Sequence, residues 1–321
     1  MNIDVFKFKE CKILVVGDLM IDRYLWGSVD RISPEAPVQV VLVNDESFTL
    51  GGAGNVINNL VSLGAKVWVA GVTGKDDNGR FLSKKMNELG IGLEGIVSEQ
   101  ERETTVKTRI IAANQHVVRI DRETSRKIET VSEDSLKKFV NNKLSGVDVV
   151  LVSDYGKGLV TDGLMSEIIM TAKKHDKRVI VDPKGLNYSK YSGVSLITPN
   201  KKEASSVSGI EILDESTLNM AGCRILQKID AASLLITCGK DGMMLFERGK
   251  SPYKISAKAR QVFDVSGAGD TVIAVLSLAV ALGIPLKYGA VAANIAASLV
   301  VGKVGTATVS VKELADALMG E

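Results

Sequence analysis

Histidine and cysteine are scarce in this 321-residue chain, and their scarcity narrows the chemistry open to it. The two histidines, His116 and His175, lie far apart, so a Ser-His-Asp relay or a two-histidine metal centre has little material to work with. The three cysteines, Cys11, Cys223 and Cys238, are an odd number without close spacing, which fits reduced thiols in the cytoplasm better than disulfides or a zinc site. No charge of one sign dominates: 40 Lys and Arg stand against 38 Asp and Glu, mixed along the chain, so neither nucleic acid nor a membrane surface is offered a basic tract. No apolar run is long and uninterrupted enough to span a bilayer, and Met1 to Glu10 alternates charges where a signal peptide would be apolar. What remains is a cytoplasmic protein with a small ligand, and with 45% hydrophobic residues it can bury a large core.

What the chain does have is glycine-rich turns ahead of helices. In Asp264-Val265-Ser266-Gly267-Ala268-Gly269-Asp270-Thr271, followed by the apolar run Val272 to Leu282, the glycines allow a tight turn and close approach to a ligand. The helix behind them presents unpaired N–H groups and its positive end, an anion site. Asp270 at its mouth repels a phosphate but is suited to take a proton from an attacking hydroxyl, which suggests phosphoryl transfer. The plainer alternative is an ordinary loop with Asp270 as helix N-cap. Gly51-Gly52-Ala53-Gly54-Asn55 precedes another helix, ending at about Leu63 with Gly64 behind it. A substrate can lie against Gly52 there, with Asn55 as donor and acceptor; the spacing is that of neither a Walker loop nor a dinucleotide fingerprint.

Strand and helix patterns alternate along the rest, which implies a doubly wound, mainly parallel α/β sheet, residues 1–321 forming a single domain. Polar clusters fall where the predicted strands end: Asp18 and Asp22 after Lys12 to Val16, Asp154-Tyr155-Gly156-Lys157-Gly158, Asp182-Pro183-Lys184, and Thr198-Pro199-Asn200 with Glu203. Gathered at one sheet edge they suit Mg²⁺ and phosphate, with Asn200 and Glu203 on one helical face holding the metal through water; singly, each is turn chemistry. Cys238-Gly239-Lys240-Asp241-Gly242 either lies along nucleotide phosphates or only turns a hairpin into Met243 to Phe246. A small-residue helix from Leu286 leaves a flat slot beside Asn294, and Ser310 with Glu313 forms a capping box. Two segments, about 20–45 and 104–122, break the alternation. The first reads as a loop leading to an extended Val38 to Val43. The second reads as a hairpin turning at Ala113-Asn114 and carrying Lys107, Arg109 and Arg119, whose basic residues either face an anionic sugar or protect a solvated edge. Together they read as a small β lid.

The two glycine signatures, in this order and separation, resemble the ribokinase-like (PfkB) carbohydrate kinases over essentially the whole chain. The resemblance implies that Gly267, Ala268 and Gly269 form an anion hole, that Asp270 deprotonates the acceptor hydroxyl and that Asn200 to Glu203 organises Mg²⁺. It also implies that Thr237, Gly239 and Gly242 meet ATP phosphates and that Asn294 lies at the adenine. Within the family, Gly17 to Tyr24, Arg31 to Val38 and Asp154 to Gly158 are similar to the heptose-phosphate kinases of lipopolysaccharide-core synthesis. That implies phosphorylation of the anomeric hydroxyl of D-glycero-β-D-manno-heptose 7-phosphate. Asp18, Asp22, Gly52 and Asn55 are then expected on the sugar hydroxyls, and Arg31, Lys107, Arg109 or Lys157 on a phosphate. Fructose, a phosphorylated hexose or a nucleoside is the alternative substrate. A sugar-binding protein without turnover is disfavoured by the intact Asp270 signature, and a nicotinamide oxidoreductase by its missing fingerprint. A homodimer through the lid is implied by resemblance, and a monovalent cation near Asp264 is left open. Many relatives carry a C-terminal nucleotidyltransferase; the chain here stops after the kinase, either as a free-standing enzyme or as part of a longer one.

Overall fold

The structure is a computed structural model that describes residues 3–113, 115–258, 264–303 and 305–320. In chain order, β1 (Lys12–Gly17), β2 (Leu19–Ile32) and β3 (Gln39–Gly52) lead into α1 (Ala53–Ser62), β4 (Lys66–Gly74) and α2 (Asp77–Glu88). Then come β5 (Ile96–Glu99), β6 (Thr105–Ala112), β7 (Gln115–Arg122), α3 (Thr130–Leu144), β8 (Val149–Ser153), α4 (Asp162–Lys174) and β9 (Arg178–Asp182). The chain continues through β10 (Leu196–Ile197), α5 (Lys201–Ser208), α6 (Glu215–Lys228), β11 (Ser233–Thr237), β12 (Met243–Glu247) and β13 (Tyr253–Ile255). It closes with α7 (Ala268–Ala281), α8 (Leu286–Val300) and α9 (Val311–Met319), the last opened by the expected Ser310 and Glu313 capping box.

The large sheet runs β13-β12-β11-β10-β9-β8-β1-β4-β5, parallel from β11 to β5 and antiparallel where β12 joins β11 and β13. Its strands are continuous apolar runs because helices cover both faces. In β1, Ile13 and Val15 face a core shared with α1, α2, α7, α8 and α9, while Leu14 and Val16 face one shared with α3, α4, α5 and α6. Parallel pairing brings Gly17, Ser153, Asp182, Ile197 and Thr237 to one edge, as the strand-end clusters required. The turn Gly239–Asp241 is a hairpin turn into β12.

The small sheet runs β3-β2-β6-β7 and stands off this edge as the lid. The β6–β7 hairpin is as expected, with Asn114 of its turn outside the described residues. The first lid segment departs from its reading: instead of a loop before a short extended stretch, β2 and β3 form one long antiparallel ribbon from Leu19↔Gly52 to Ile32↔Gln39. Beyond its base the ribbon has no core beneath it, so nothing imposes the apolar alternation by which strands are read. The short strands β5 and β13 were also not expected.

Leu136, fully buried in α3 on the face of the sheet away from α7, tests the second core. Leu136→Ala should lower unfolding free energy by ~2–5 kcal/mol in urea titration while leaving activity per folded molecule unchanged.

Candidate active site

Helix α7 starts at Ala268, and its N-cap is Gly267, whose φ of 78° is left-handed. A Cβ at Gly267 would also lie 2.6 Å from Asn55 Nδ2, so glycine is demanded twice over. Asp270 is therefore not the cap but a first-turn residue, 6% exposed. Its Oδ2 accepts from Asn55 Nδ2 at 2.7 Å and its Oδ1 from the Tyr155 hydroxyl at 2.7 Å, and it makes no ion pair with a described residue. Asn59 braces the same corner, donating to the Asn55 carbonyl and accepting from Thr271 Oγ1. The Ala268 N–H is given to the Val265 carbonyl, so the first-turn amides left without an intrahelical acceptor are those of Gly269 and Asp270. A Cβ on Gly269 would meet nothing within 4 Å, and its φ is unremarkable; nothing inside the molecule requires glycine there, and the open space suits a ligand.

The first glycine signature works differently. Gly52, with φ 55°, ends β3 and caps α1, and a Cβ on it would strike Met20 and the Asp18 carbonyl; on Gly51 it would strike Asp22. Both glycines serve close packing of the lid base. Asn55 is fully buried and donates to Asp270 Oδ2. Asp18 fastens the loop after β8: Oδ2 accepts the N–H of Tyr155 and Lys157, and Oδ1 that of Leu159. Burial and the nearby Asp154 push Asp18 up to about 6 against those bonds. Asp154 in turn accepts from Gly156 N–H, Lys190 and the Tyr191 hydroxyl.

Over this floor sit the lid side chains. The buried Asp22 pairs with the partly buried Arg109. Lys107 lies 5.5 Å above the Tyr155 ring with no ion-pair partner among the described residues, and burial lowers its pKa while Asp22 opposes the drop. Lys157 is drawn to Glu123 at 2.7 Å. Arg31 is not brought to this cluster: it is exposed near the outer end of β2, roughly 30 Å along the strand from Asp22.

Behind Asp270, a cavity of about 170 Å³ is lined by Asp154, Tyr155, Asp182, Lys184, Thr198, Asn200, Glu203, Thr237 and Gly269. Asn200 caps α5, and Glu203 completes that capping box and pairs with Lys184 at 2.7 Å. The Asp182 carboxylate makes no hydrogen bond with a described residue; burial, then the charges of Asp270 and Glu203, push it well above the carboxylate range. The oxygen donors Asp182, Glu203 and Asn200 fit a hard divalent cation that keeps its waters. Gly239 takes a left-handed φ of 58° in the hairpin turn, and Gly242 lies where a Cβ would strike the Ile255 carbonyl. Asn294 donates to the Ser256 carbonyl at 2.8 Å on the far side of this turn. Tyr155 was named only as part of a strand-end cluster; its link to Asp270 spans 115 residues and has no local signal.

A model described as pfkB family carbohydrate kinase matches residues 11–313. The bifunctional protein HldE of Desulfatibacillum aliphaticivorans is 54% identical over 98% of this chain and 64% of its own length. That of Geobacter sulfurreducens is 50% identical over 95% and 62%. The chain thus spans less than two thirds of these relatives. Among solved structures, Arabidopsis thaliana ribokinase complexed with ribose and ATP aligns with a TM-score of 0.76 at 20% identity, covering 96% of this chain and 98% of that one. Phosphofructokinase-2 of Escherichia coli in complex with potassium gives 0.80 at 16%, covering 97% and 98%. These likenesses show a shared fold.

Burial pushes Asp270 up to about 6, with Asp22 adding to the rise and Asn55, Tyr155 and Lys107 opposing it. Because this exceeds the unfolded value of about 3.9, the folded state binds the extra proton, and the stability it brings is present below about pH 4 and lost as pH rises through about 6. Asp270→Asn removes this titration. Wild type should therefore lose on the order of 2–3 kcal/mol relative to Asp270→Asn between pH 4 and pH 7 in paired urea titrations; a constant difference would refute the shift.

Proposed function

Because the chain belongs to the pfkB family of carbohydrate kinases, we propose that it transfers the terminal phosphoryl group of ATP to the anomeric hydroxyl of D-glycero-β-D-manno-heptose 7-phosphate. The product is the 1,7-bisphosphate, a cytoplasmic step toward ADP-heptose and lipopolysaccharide core. One observation carries the reading: Asp270, a buried carboxylate with no ion pair among the described residues, lies in the first turn of α7 between the lid and a cavity of carboxylates and glycine backbone. The choice of heptose phosphate rests on the motifs at Gly17 to Tyr24, Arg31 to Val38 and Asp154 to Gly158.

In the reaction, the hydroxyl oxygen attacks the γ-phosphorus as the bond to the bridging oxygen breaks, its electron pair leaving with ADP. The hydroxyl proton passes to Asp270, whose pKa near 6 keeps it ionised at neutral pH yet basic enough to act. The amides of Gly269 and Asp270 and the positive end of α7 face the charge of the transferring group. Asp22 with Arg109 offers partners for sugar hydroxyls, and Lys107, without an ion pair among the described residues, is a cation available to a phosphate. Thr237 and the Gly239–Gly242 turn take the ATP phosphates, and Asn294 the adenine side. Mg²⁺ held through water by Glu203, Asn200 and Asp182 would neutralise phosphate charge.

The lid supports self-association. Ile32, Val38, Leu42, Val118 and Ile120 are exposed on it, and β3 and β7 are unpaired sheet edges. Lids of two copies pairing there would cover these side chains and carry Arg31 toward the partner's site. Leu42→Glu with Ile120→Glu should then convert a dimer to a monomer in sedimentation equilibrium; an unchanged mass would reject the lid interface.

Asp270→Asn should lower kcat by ~10²–10⁴ with the KM for ATP nearly unchanged, as measured by ADP release. Near-normal turnover removes Asp270 from the role of base. Over a panel of sugars with and without a terminal phosphate, the heptose 7-phosphate should give the highest kcat/KM; preference for fructose, a hexose phosphate or a nucleoside reassigns the substrate.

A further inference from the structure

The phenol of Tyr155 reaches Asp270 from a loop that is fastened without it. Asp18 takes the backbone N–H groups of Tyr155, Lys157 and Leu159, and Asp154 takes that of Gly156, which has φ 70°. The loop conformation therefore owes nothing to the hydroxyl. The ring lies beneath Lys107 and lines the cavity that also contains Gly269 and Asp182. Among the described residues the hydroxyl has one hydrogen-bond partner, Asp270 Oδ1 at 2.7 Å.

We propose that Tyr155 is a positioning residue for phosphoryl transfer, its hydroxyl setting the orientation of the Asp270 carboxylate so that a remaining lone pair meets the sugar hydroxyl. Asn55 from α1 holds Oδ2, Tyr155 from the loop after β8 holds Oδ1, and two donors from separate elements stop rotation of the carboxylate about its own axis. Each oxygen keeps a lone pair for the incoming proton. Both donors are neutral, and that choice matters: an Arg or Lys in direct contact would depress the carboxylate by ~1–3 pKa units and weaken it as a base. Tyr155 does not compete for the proton, because burial and the adjoining Asp270 and Asp182 hold its own pKa well above the phenol range. The charged groups facing Asp270 are Asp22 on β2, neutralised by Arg109, Lys107 on β6 and Asp182 at the end of β9.

The inference rests on Asp270 being the base, and the test separates the two. Tyr155→Phe keeps the ring and every backbone bond of the loop. With Mg-ATP and heptose 7-phosphate, its acid limb of kcat/KM should move up by about one pH unit, since a donor to the ionised form is lost. Plateau kcat should fall about tenfold, and the KM for ATP should stay within about twofold. In an Asp270→Asn background the same change should cost less than about twofold, because the partner is gone. A ¹³C titration of the Asp270 carboxyl reads the same shift without turnover. An unmoved limb and an unmoved carboxyl titration, or a full tenfold loss in the Asp270→Asn background, would overturn the proposal while leaving Asp270 as base. Turnover surviving in Asp270→Asn alone would instead remove the reading beneath it.

Discussion

Helix α7 is apolar on every side, and keeping it out of water sets the geometry of the whole site. Every residue from Asp270 to Ala279 is buried, with α1 and α8 against its flanks and β1, β8 and β9 against another side. Rotating or sliding such a helix would expose large side chains at ~1.5–3 kcal/mol each, so its first turn has one available position. Asp270 inherits that position. Burial disfavours its charge, the helix end and two neutral donors favour it, and the outcome is a carboxylate poised near 6.

A second constraint holds the floor around it. Asp18 and Asp154 each sit at the C-terminal edge of a parallel strand; Asp18 spends its oxygens on the loop from Tyr155 to Leu159, and Asp154 divides its own between Gly156 of that loop and the side chains of Lys190 and Tyr191. These buried acids are satisfied internally, as buried charges must be. The carboxylate of Asp182, on the same edge, has no hydrogen-bond partner among the described residues and opens on the cavity. The contrast separates acids that build the site from an acid left for a ligand. Glycine divides in the same way: Gly267 and Gly52 are required by backbone conformation and by neighbouring atoms, whereas Gly269 has open space where a side chain would be.

The lid answers to different physics. Its base, around Met20, Ile21 and Asp22, is buried against the main body, and its outer half stands in solvent with apolar side chains uncovered. Arg31 and Lys107 were both candidates for a phosphate, yet strand direction sets them far apart. Lys107 is turned inward over Tyr155, and Arg31 is carried to the tip.

Much of the fold was legible because it follows from local pattern. Buried parallel strands must be continuous apolar runs, helices announce their ends with Gly64, Gly283 or the Ser310 and Glu313 box, and the carboxylates Asp18, Asp154 and Asp182 at the ends of parallel strands must fall at one edge. The ribbon β2–β3 was not legible, since strands without a core carry no alternation. The sequence by itself determined the family, the ligand edge and Asp270 as the residue to watch. Only the tertiary structure decided that Asn55 and Tyr155 hold that carboxylate, that Asp18 is spent on a loop and that Arg31 is out of reach. The placements of Asn55, Tyr155 and Asp18 depend on contacts between residues 115 to 215 positions apart, which no local pattern of side chains encodes.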